Sequence, residues 1–243
     1  MRIVALLLAF ASLAAFAQDY AREKRWADQV VPDLVVGDAV RIRLPAGREF
    51  LGIHTGVPKA RVAVMLVHGI GVHPDHGVIG ILRASLADAG YATLSIQMPV
   101  QASDASAEDY HPALFPEAVQ RIAAGAKWLQ DKGAKRIVLL SHSLGSWMSS
   151  AYMEGTQSPA FAGWVCMGMG RGVEAIGKAR VPVLDVYGEQ DLPQVLKTAP
   201  ARLAAIRATA GSGQVRIAGA DHFFLGREKA LEAAIRGFIE KLE

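Results

Sequence analysis

The sequence predicts an α/β domain built on a mostly parallel, doubly wound sheet. Short apolar runs rich in β-branched residues alternate with segments whose apolar residues recur every three or four positions. This alternation is typical of β-α-β units, in which helical crossovers connect parallel strands. The clearest unit is RIVLLSHSLGSWMSSAYM at residues 136–153, where a buried strand and a helix meet at an abrupt turn.

The remaining elements follow the same alternation. Residues 18–38 are mixed in composition and predict only a leading arm packed on the body. Val40–Leu44 and Glu49–Thr55, separated by a Pro-Ala-Gly turn, predict an antiparallel hairpin at the edge of the sheet. Further strands are expected at 61–67, 91–97, 137–140, 161–169, 181–187 and 214–218, and helices at 78–89, 116–133, 144–155, within 193–210 and at 231–242.

The N-terminus has the pattern of a secretory signal peptide. An apolar run over residues 3–15 ends in Ala15-Phe16-Ala17, a small-x-small cleavage site. The run is too short for an ordinary membrane span, and an uncleaved anchor is the alternative. We expect residues 1–17 to be removed and residues 18–243 to lie in the periplasm or outside the cell, without a stable membrane span.

Composition favours one domain, and it argues against a nucleic-acid partner and against stabilisation by an intrachain disulfide. Residues 18–243 suffice for one α/β domain with a full core but not for two large domains. The formal net charge of +3 comes without a run of Lys or Arg longer than two, so we expect no nucleic-acid partner. The single cysteine, Cys166, excludes an intrachain disulfide, and its apolar neighbours predict a buried, inert thiol.

The turn at Ser143 has a specific chemical use. Ile137–Leu140 form a buried strand, and from Leu144 the apolar residues fall on one face of a helix that ends near Gly155. A sharp turn between them lifts the Ser143 side chain off the sheet and aims the backbone N–H of Leu144 at the same space. That arrangement places a nucleophile beside half an oxyanion hole. A junction whose serines only cap the helix is the alternative.

The residues flanking Ser143 carry a resemblance to a known family. Small residues are needed two positions either side of the serine, and Ser141 and Gly145 meet this need. The pentapeptide Ser-His-Ser-Leu-Gly resembles the nucleophile elbow of the α/β-hydrolase superfamily in all but its first glycine. From about Val40 to the C-terminus, the order of elements is similar to that superfamily as well.

The resemblance implies a catalytic serine, acid and histidine in that chain order. His222 follows the last predicted strand, where the superfamily has its histidine, although a surface loop histidine is the alternative. Asp191 lies just beyond a predicted strand and is the preferred acid, although it could instead cap a helix. Asp185, inside the strand, and Glu189 are its rivals. Ser143 is the implied nucleophile.

The second oxyanion donor is expected in the loop after the 61–67 strand. His68-Gly69-Ile70-Gly71 resembles the superfamily's His-Gly motif, in which the residue after the glycine donates its N–H, so Ile70 joins Leu144 as a predicted donor. A generic glycine-rich turn is the alternative.

Three histidines near this loop also suggest a zinc site. His68, His73 and His76, with Asp75, could supply ligands, but their spacing fits no common zinc pattern. Gly-Val-His-Pro-Asp resembles the oxyanion loop of a largely uncharacterised bacterial branch of the superfamily, which implies that His73 shapes the rim. We therefore expect neither a metal nor a cofactor.

Only residues 170–180 separate two predicted strands where many relatives insert a lid, so we expect no large cap domain and an open site. The loops 101–115 and 170–180 should set specificity.

The sequence predicts a secreted or periplasmic serine hydrolase that cleaves a small carboxylic ester, with thioesters and amides less favoured. A non-catalytic scaffold or binding protein of the cell envelope is the rival function. The sequence indicates neither the substrate nor the oligomeric state.

Overall fold

The computed structural model describes residues 18–110, 113–157 and 159–242, and the predicted signal peptide lies outside these residues. Within them the chain forms an eight-stranded sheet flanked by helices. The strands are β1 Asp38–Arg43, β2 Glu49–Thr55, β3 Ala63–Val67, β4 Ala92–Ile96, β5 Ile137–His142, β6 Gly163–Met167, β7 Val183–Gly188 and β8 Gly213–Ile217. The helices are α1 Tyr20–Val30, α2 Gly77–Asp88, α3 Ala107–Tyr110, α4 Phe115–Asp131, α5 Leu144–Gly155, α6 Val173–Ile176, α7 Pro193–Ile206 and α8 Glu228–Ile239.

The sheet is mostly parallel and has the strand order β1-β2-β4-β3-β5-β6-β7-β8. Strand β2 pairs antiparallel with both β1 and β4, and every other pair is parallel. The predicted fold class, including the N-terminal hairpin, is confirmed. The parallel order brings the carboxyl ends of β3, β5, β6, β7 and β8 to one edge of the sheet, where loops can assemble a site.

Two apolar layers, one on each face, cover the sheet. Alternate residues of β3 show the division: Met65 and Val67 pack with the helices α4 and α5, whereas Val64 and Leu66 pack with α2 and α8. All four side chains are buried because a parallel strand under helices on both sides has no solvent face. This packing gives the strand ends a rigid base.

Residues 18–38 differ most from the prediction. The predicted leading arm contains the helix α1 and a 3-10 turn at Val31–Asp33, neither of which the sequence predicted. Asp19 caps the helix by accepting the Arg22 backbone N–H at 2.8 Å. Ala27 is the only buried residue of α1, so the helix lacks the apolar stripe on which sequence periodicity depends.

The loops that rim the carboxyl edge are short and partly helical. The segment between β6 and β7 holds only the four-residue helix α6, so the chain has no large cap domain at this position. The predicted loop 101–115 contains the short helix α3, and the helical turns within 193–210 form the single helix α7. No helix in the described part of the chain has both the length and the apolar character needed to cross a membrane.

Candidate active site

Ser143 sits at a strained corner between β5 and α5. Its φ of 56° and ψ of −122° lie in a region that residues other than glycine rarely adopt, at a cost of about 1–3 kcal/mol. The Ser143 backbone N–H donates to the Met167 carbonyl at 2.8 Å, which ties the corner to β6. A Cβ at Gly145 would lie 2.3 Å from the His68 carbonyl oxygen, so only glycine fits there.

Ser141, which replaces the usual first glycine of the elbow, has partners on the neighbouring strand. It is fully buried, and its Oγ accepts a hydrogen bond from the Trp164 indole N–H at 2.8 Å. The same hydroxyl faces the Val165 carbonyl at 3.4 Å. Ser141 is therefore hydrogen-bonded within the core, and the turn at Ser143 forms without the first glycine.

The structure brings Ser143, His222 and Asp191 together in one hydrogen-bonded row. The Ser143 hydroxyl lies 2.9 Å from His222 Nε2, and His222 Nδ1 lies 2.6 Å from Asp191 Oδ1. These residues come from the end of β5, the loop after β8 and the loop after β7, which meet because the strands are parallel. The spacing allows a proton to pass from the hydroxyl to the imidazole while the carboxylate holds the other ring nitrogen.

The Asp191 carboxylate is held in its charged form. Burial raises its pKa, but hydrogen bonds from His222 and from two backbone N–H groups outweigh burial, so the pKa lies below its usual value. The backbone donors are Gly188 at 3.1 Å and Leu192 at 2.8 Å. Leu192, not Asp191, is the N-cap residue of α7. Asp191 can therefore keep the His222 Nδ1 proton in place and stabilise a positive charge on the ring.

The two rival carboxylates have other partners. Asp185 lies inside β7 with no exposed surface, where Arg202 Nε contacts both of its oxygens at 2.9 Å. Glu189 accepts the Gly219 backbone N–H at 3.0 Å and pairs with Arg216 at 3.5 Å. Of the three candidate acids, Asp191 alone contacts His222.

His142, the residue before Ser143, supports the loop that carries His222. Its Nε2–H donates to the His222 backbone carbonyl at 2.9 Å, and the two ring centroids are 4.9 Å apart. Burial, and secondarily the nearby His222, lower the pKa of His142 to about 4, so the ring is neutral at physiological pH. Sequence reasoning gave this residue no role.

The loop after β3 is held from inside by His68. Its Nδ1–H donates to the Gly69 carbonyl at 2.8 Å, and its Nε2 accepts the Met98 backbone N–H at 2.9 Å. Burial lowers the pKa of His68 to about 3, which keeps the ring neutral and fixes this tautomer. The Gly69 carbonyl and the Ile70 N–H belong to one peptide plane, so His68 orients the predicted oxyanion donor.

Two side chains that sequence reasoning missed hold the same loop. Gln97 Nε2 donates to the Val72 carbonyl at 3.3 Å, and Ser95 Oγ donates to the Pro74 carbonyl at 2.6 Å. A signal was present, because Ser95 and Gln97 stand two positions apart, like Thr93 before them, and alternate with apolar residues in a predicted strand. Polar residues on one face of such a strand indicate partners in the interior.

The zinc hypothesis finds no support in this geometry. Both ring nitrogens of His68 are engaged by backbone groups, while the rings of His73 and His76 are 5.4 Å apart. Across the described ranges, no group of three histidine, cysteine or acidic residues could hold a metal ion.

A small, open pocket surrounds Ser143. Its volume is about 80 Å³, well below the roughly 300–1,000 Å³ of typical ligand pockets. Ile70 and Leu144, the two predicted oxyanion donors, both line it. Its other apolar lining residues include Trp147, Leu192 and Val195. Arg171 stands at the rim, where it pairs with Glu108 on α3.

The fold and this site can be compared with solved structures. A dienelactone hydrolase from Anabaena variabilis has a TM-score of 0.70 and 19% identity, over 84% of this chain and 96% of that chain. Est1E from Butyrivibrio proteoclasticus has a TM-score of 0.67 and 14% identity, over 84% and 98%. An α/β serine hydrolase without a lid from Xanthomonas campestris has a TM-score of 0.66 and 15% identity, over 86% and 95%.

These likenesses show that the chain has the α/β-hydrolase fold, as its sequence motifs imply. Residues 1–120 match the model of a family described as a protein of unknown function, DUF3530. A search of curated proteins finds no match to the chain.

Proposed function

We propose that this protein is an exported serine hydrolase that cleaves small carboxylic esters through an acyl-enzyme on Ser143. The observation that carries the proposal is the continuous hydrogen-bonded row from Ser143 Oγ through His222 to Asp191. A serine hydroxyl is a weak nucleophile at neutral pH and gains reactivity when a positioned base can take its proton. The strained backbone at Ser143 supports the same role, because such strain is typical of functional sites.

The reaction proceeds in two halves. Ser143 Oγ attacks the ester carbonyl carbon while His222 Nε2 takes the hydroxyl proton, and the N–H groups of Ile70 and Leu144 stabilise the oxyanion. His222 then returns the proton to the leaving alcohol, which breaks the ester bond. In the second half, water gives a proton to His222 and attacks the acyl carbon. His222 then returns that proton to Ser143 Oγ as the bond between the acyl carbon and Ser143 Oγ breaks, which releases a carboxylic acid.

The pocket supports a short acyl group. Its volume of about 80 Å³ leaves little room for a long chain, while its openness lets the alcohol part of the substrate extend into solvent. Esters are favoured over amides because an alcohol leaves more readily than an amine. The chain is similar in structure to proteins named as a dienelactone hydrolase and a serine hydrolase, which supports a hydrolytic reaction.

Labelling with a fluorophosphonate probe tests the mechanism. The wild-type protein should be labelled and should hydrolyse p-nitrophenyl acetate faster than p-nitrophenyl octanoate. Ser143→Ala should abolish labelling and hydrolysis. Ser149→Ala is the matched control, since Ser149 lies buried on the same helix and its hydroxyl has no hydrogen-bond partner among the described residues.

Other outcomes separate the rival functions. A folded wild-type protein that neither reacts with the probe nor hydrolyses esters, thioesters or amides would be a binding scaffold. Activity that survives Ser143→Ala but is lost with a chelator would indicate a metal hydrolase.

Export depends on residues 1–17, whose small-x-small end supports cleavage after Ala17. N-terminal sequencing of the protein purified from a periplasmic fraction should begin at Gln18. A cytoplasmic protein that still begins at Met1 would contradict export.

A further inference from the structure

The N-terminal arm, residues 18–33, reaches the loop beside the candidate site. From α1, Arg22 spreads its guanidinium between two loops: one nitrogen donates to the Gly71 carbonyl at 3.0 Å and another to the Gln101 carbonyl at 2.7 Å. Gly71 is one residue beyond Ile70, whose N–H is the proposed oxyanion donor. The arm therefore touches the segment that positions this donor.

Neighbouring side chains hold Arg22 in this orientation. Its guanidinium carbon lies 4.5 Å from the Trp26 ring centroid on the same helix. The Trp26 ring in turn packs 5.9 Å from the ring of His73, in the loop that follows Gly71. Asp19 anchors the start of the arm, because its backbone N–H donates to the Val100 carbonyl at 2.7 Å.

Arg22 completes a set of side chains that bind the carbonyls of the oxyanion loop, which we define as residues 68–76. His68, Gln97 and Ser95 hold the carbonyls of Gly69, Val72 and Pro74, and all three belong to the sheet or its strand ends. The Gly71 carbonyl is held by Arg22, from outside the sheet. These contacts restrain the backbone on both sides of Ile70, whose N–H is the proposed oxyanion donor.

We propose that Arg22 is a positioning residue for the oxyanion hole, so that the N-terminal arm contributes to catalysis. This inference rests on the proposed hydrolase function. A planar guanidinium suits the task because it donates to two carbonyls in fixed directions, whereas a lysine ammonium is a single flexible donor centre. Loss of the Gly71 contact leaves the Ile70 N–H less well oriented toward the developing oxyanion. The transition state then loses stabilisation while substrate binding changes little.

The test compares Arg22→Gln with Arg25→Gln in the full mature protein. Arg25 lies on the same helix and is largely exposed, and within the described ranges its ion pair is with Asp19 at 3.8 Å. Removing a whole oxyanion donor lowers kcat by about 10²–10³-fold, so we expect misorientation in Arg22→Gln to lower kcat by roughly 10- to 100-fold with KM nearly unchanged. The affinity for a trifluoromethyl ketone, which forms a tetrahedral adduct with serine, should fall in proportion. Arg22→Lys should be intermediate, and Arg25→Gln should match the wild type.

A purely structural role would give a different result. If Arg22→Gln lowers the melting temperature but leaves kcat and the ketone affinity unchanged, the inference is wrong and the proposed function stands. If the wild type shows no Ser143-dependent turnover, the proposed function and this inference fail together. Should Arg22→Gln not fold, Arg22→Lys provides the same comparison of kcat with ketone affinity, because it keeps the charge.

Discussion

Asp185 and Asp191 are two buried carboxylates on one strand and the loop that follows it, yet their partners differ in kind. Asp185 faces the permanent cation Arg202 and the Gln214 amide, at 2.9 and 2.7 Å. Asp191 faces the imidazole of His222 and two backbone N–H groups. The first carboxylate is already neutralised by its partner. The second can stabilise a positive charge that arises only when His222 accepts a proton, which is what proton-transfer catalysis requires.

The pKa directions support this contrast. Burial raises the pKa of Asp185, and Arg202 opposes that rise. Hydrogen bonds hold the pKa of Asp191 below its usual value in spite of burial. Both carboxylates are buried, but we expect Asp185 to contribute to stability and Asp191 to the candidate chemistry.

The largest expected effect comes from Asp191→Asn. The amide cannot hold the Nδ1 proton of His222 as the carboxylate does, so we expect kcat for ester hydrolysis to fall about 10⁴-fold. The melting temperature should stay close to that of the wild type. Steady-state kinetics and thermal unfolding measure both quantities. Retention of more than a tenth of the activity would place the acid elsewhere.

Asp185→Ala should instead act on stability. It leaves Arg202 buried without its carboxylate, so we expect the free energy of unfolding to fall by about 3–5 kcal/mol, with kcat of the folded molecules unchanged. Urea unfolding and active-site titration separate the two effects. The double variant Asp185→Leu, Arg202→Met should recover much of the loss, because it removes both charges. A fall in kcat per folded molecule would contradict the claim that Asp185 acts on stability and not on catalysis.

The pH dependence of the free energy of unfolding provides a further test of this comparison, because the neutral histidine His142 is buried at the same edge of the sheet as Asp191. Burial lowers the pKa of His142 from 6.5 to about 4, so between these values the unfolded chain binds a proton that the folded chain does not. The free energy of unfolding therefore falls as the pH falls through this window, by an amount of the order of 3 kcal/mol from His142.

The wild type and His142→Gln can be compared by urea unfolding across this window. The variant should show the shallower pH dependence, and buried His68 should keep part of the slope. Identical slopes in the two proteins would show that His142 is not the titrating group.

The smallest expected effect is that of Ser141→Gly, which restores the usual elbow glycine. The Trp164 indole N–H loses its partner, so we expect a loss of about 1–3 kcal/mol in unfolding free energy. Activity should stay within a few-fold of the wild type because the Ser143 turn keeps its geometry. A large gain in kcat would mean that Ser141 distorts the site.

Much of the fold could be predicted because each element has a local signature. The apolar run before Ser143 and the three-to-four spacing after it are visible without knowledge of any distant residue. The helix α1 was missed because it binds the body through polar groups such as Arg22 rather than an apolar stripe. Local periodicity carries no information about such contacts.

The candidate site was predictable to a lesser degree. Parallel strands bring their carboxyl ends to one edge, so residues just beyond the strands, such as His222 and Asp191, could be selected. The alternation of polar residues indicated that Gln97 has a partner in the interior, but the particular partners of His142 and Gln97 could not be predicted, since each contact joins segments that are far apart along the chain.

The sequence alone determined the strands and helices of the alternating β-α-β units and which corner carries Ser143, because burial on one face leaves a periodic pattern along the chain. Tertiary packing decided which carboxylate meets His222, what Ser141 binds and what the N-terminal arm touches. A hydrogen bond between remote residues depends on how whole layers stack, and that arrangement has no local signature in the chain.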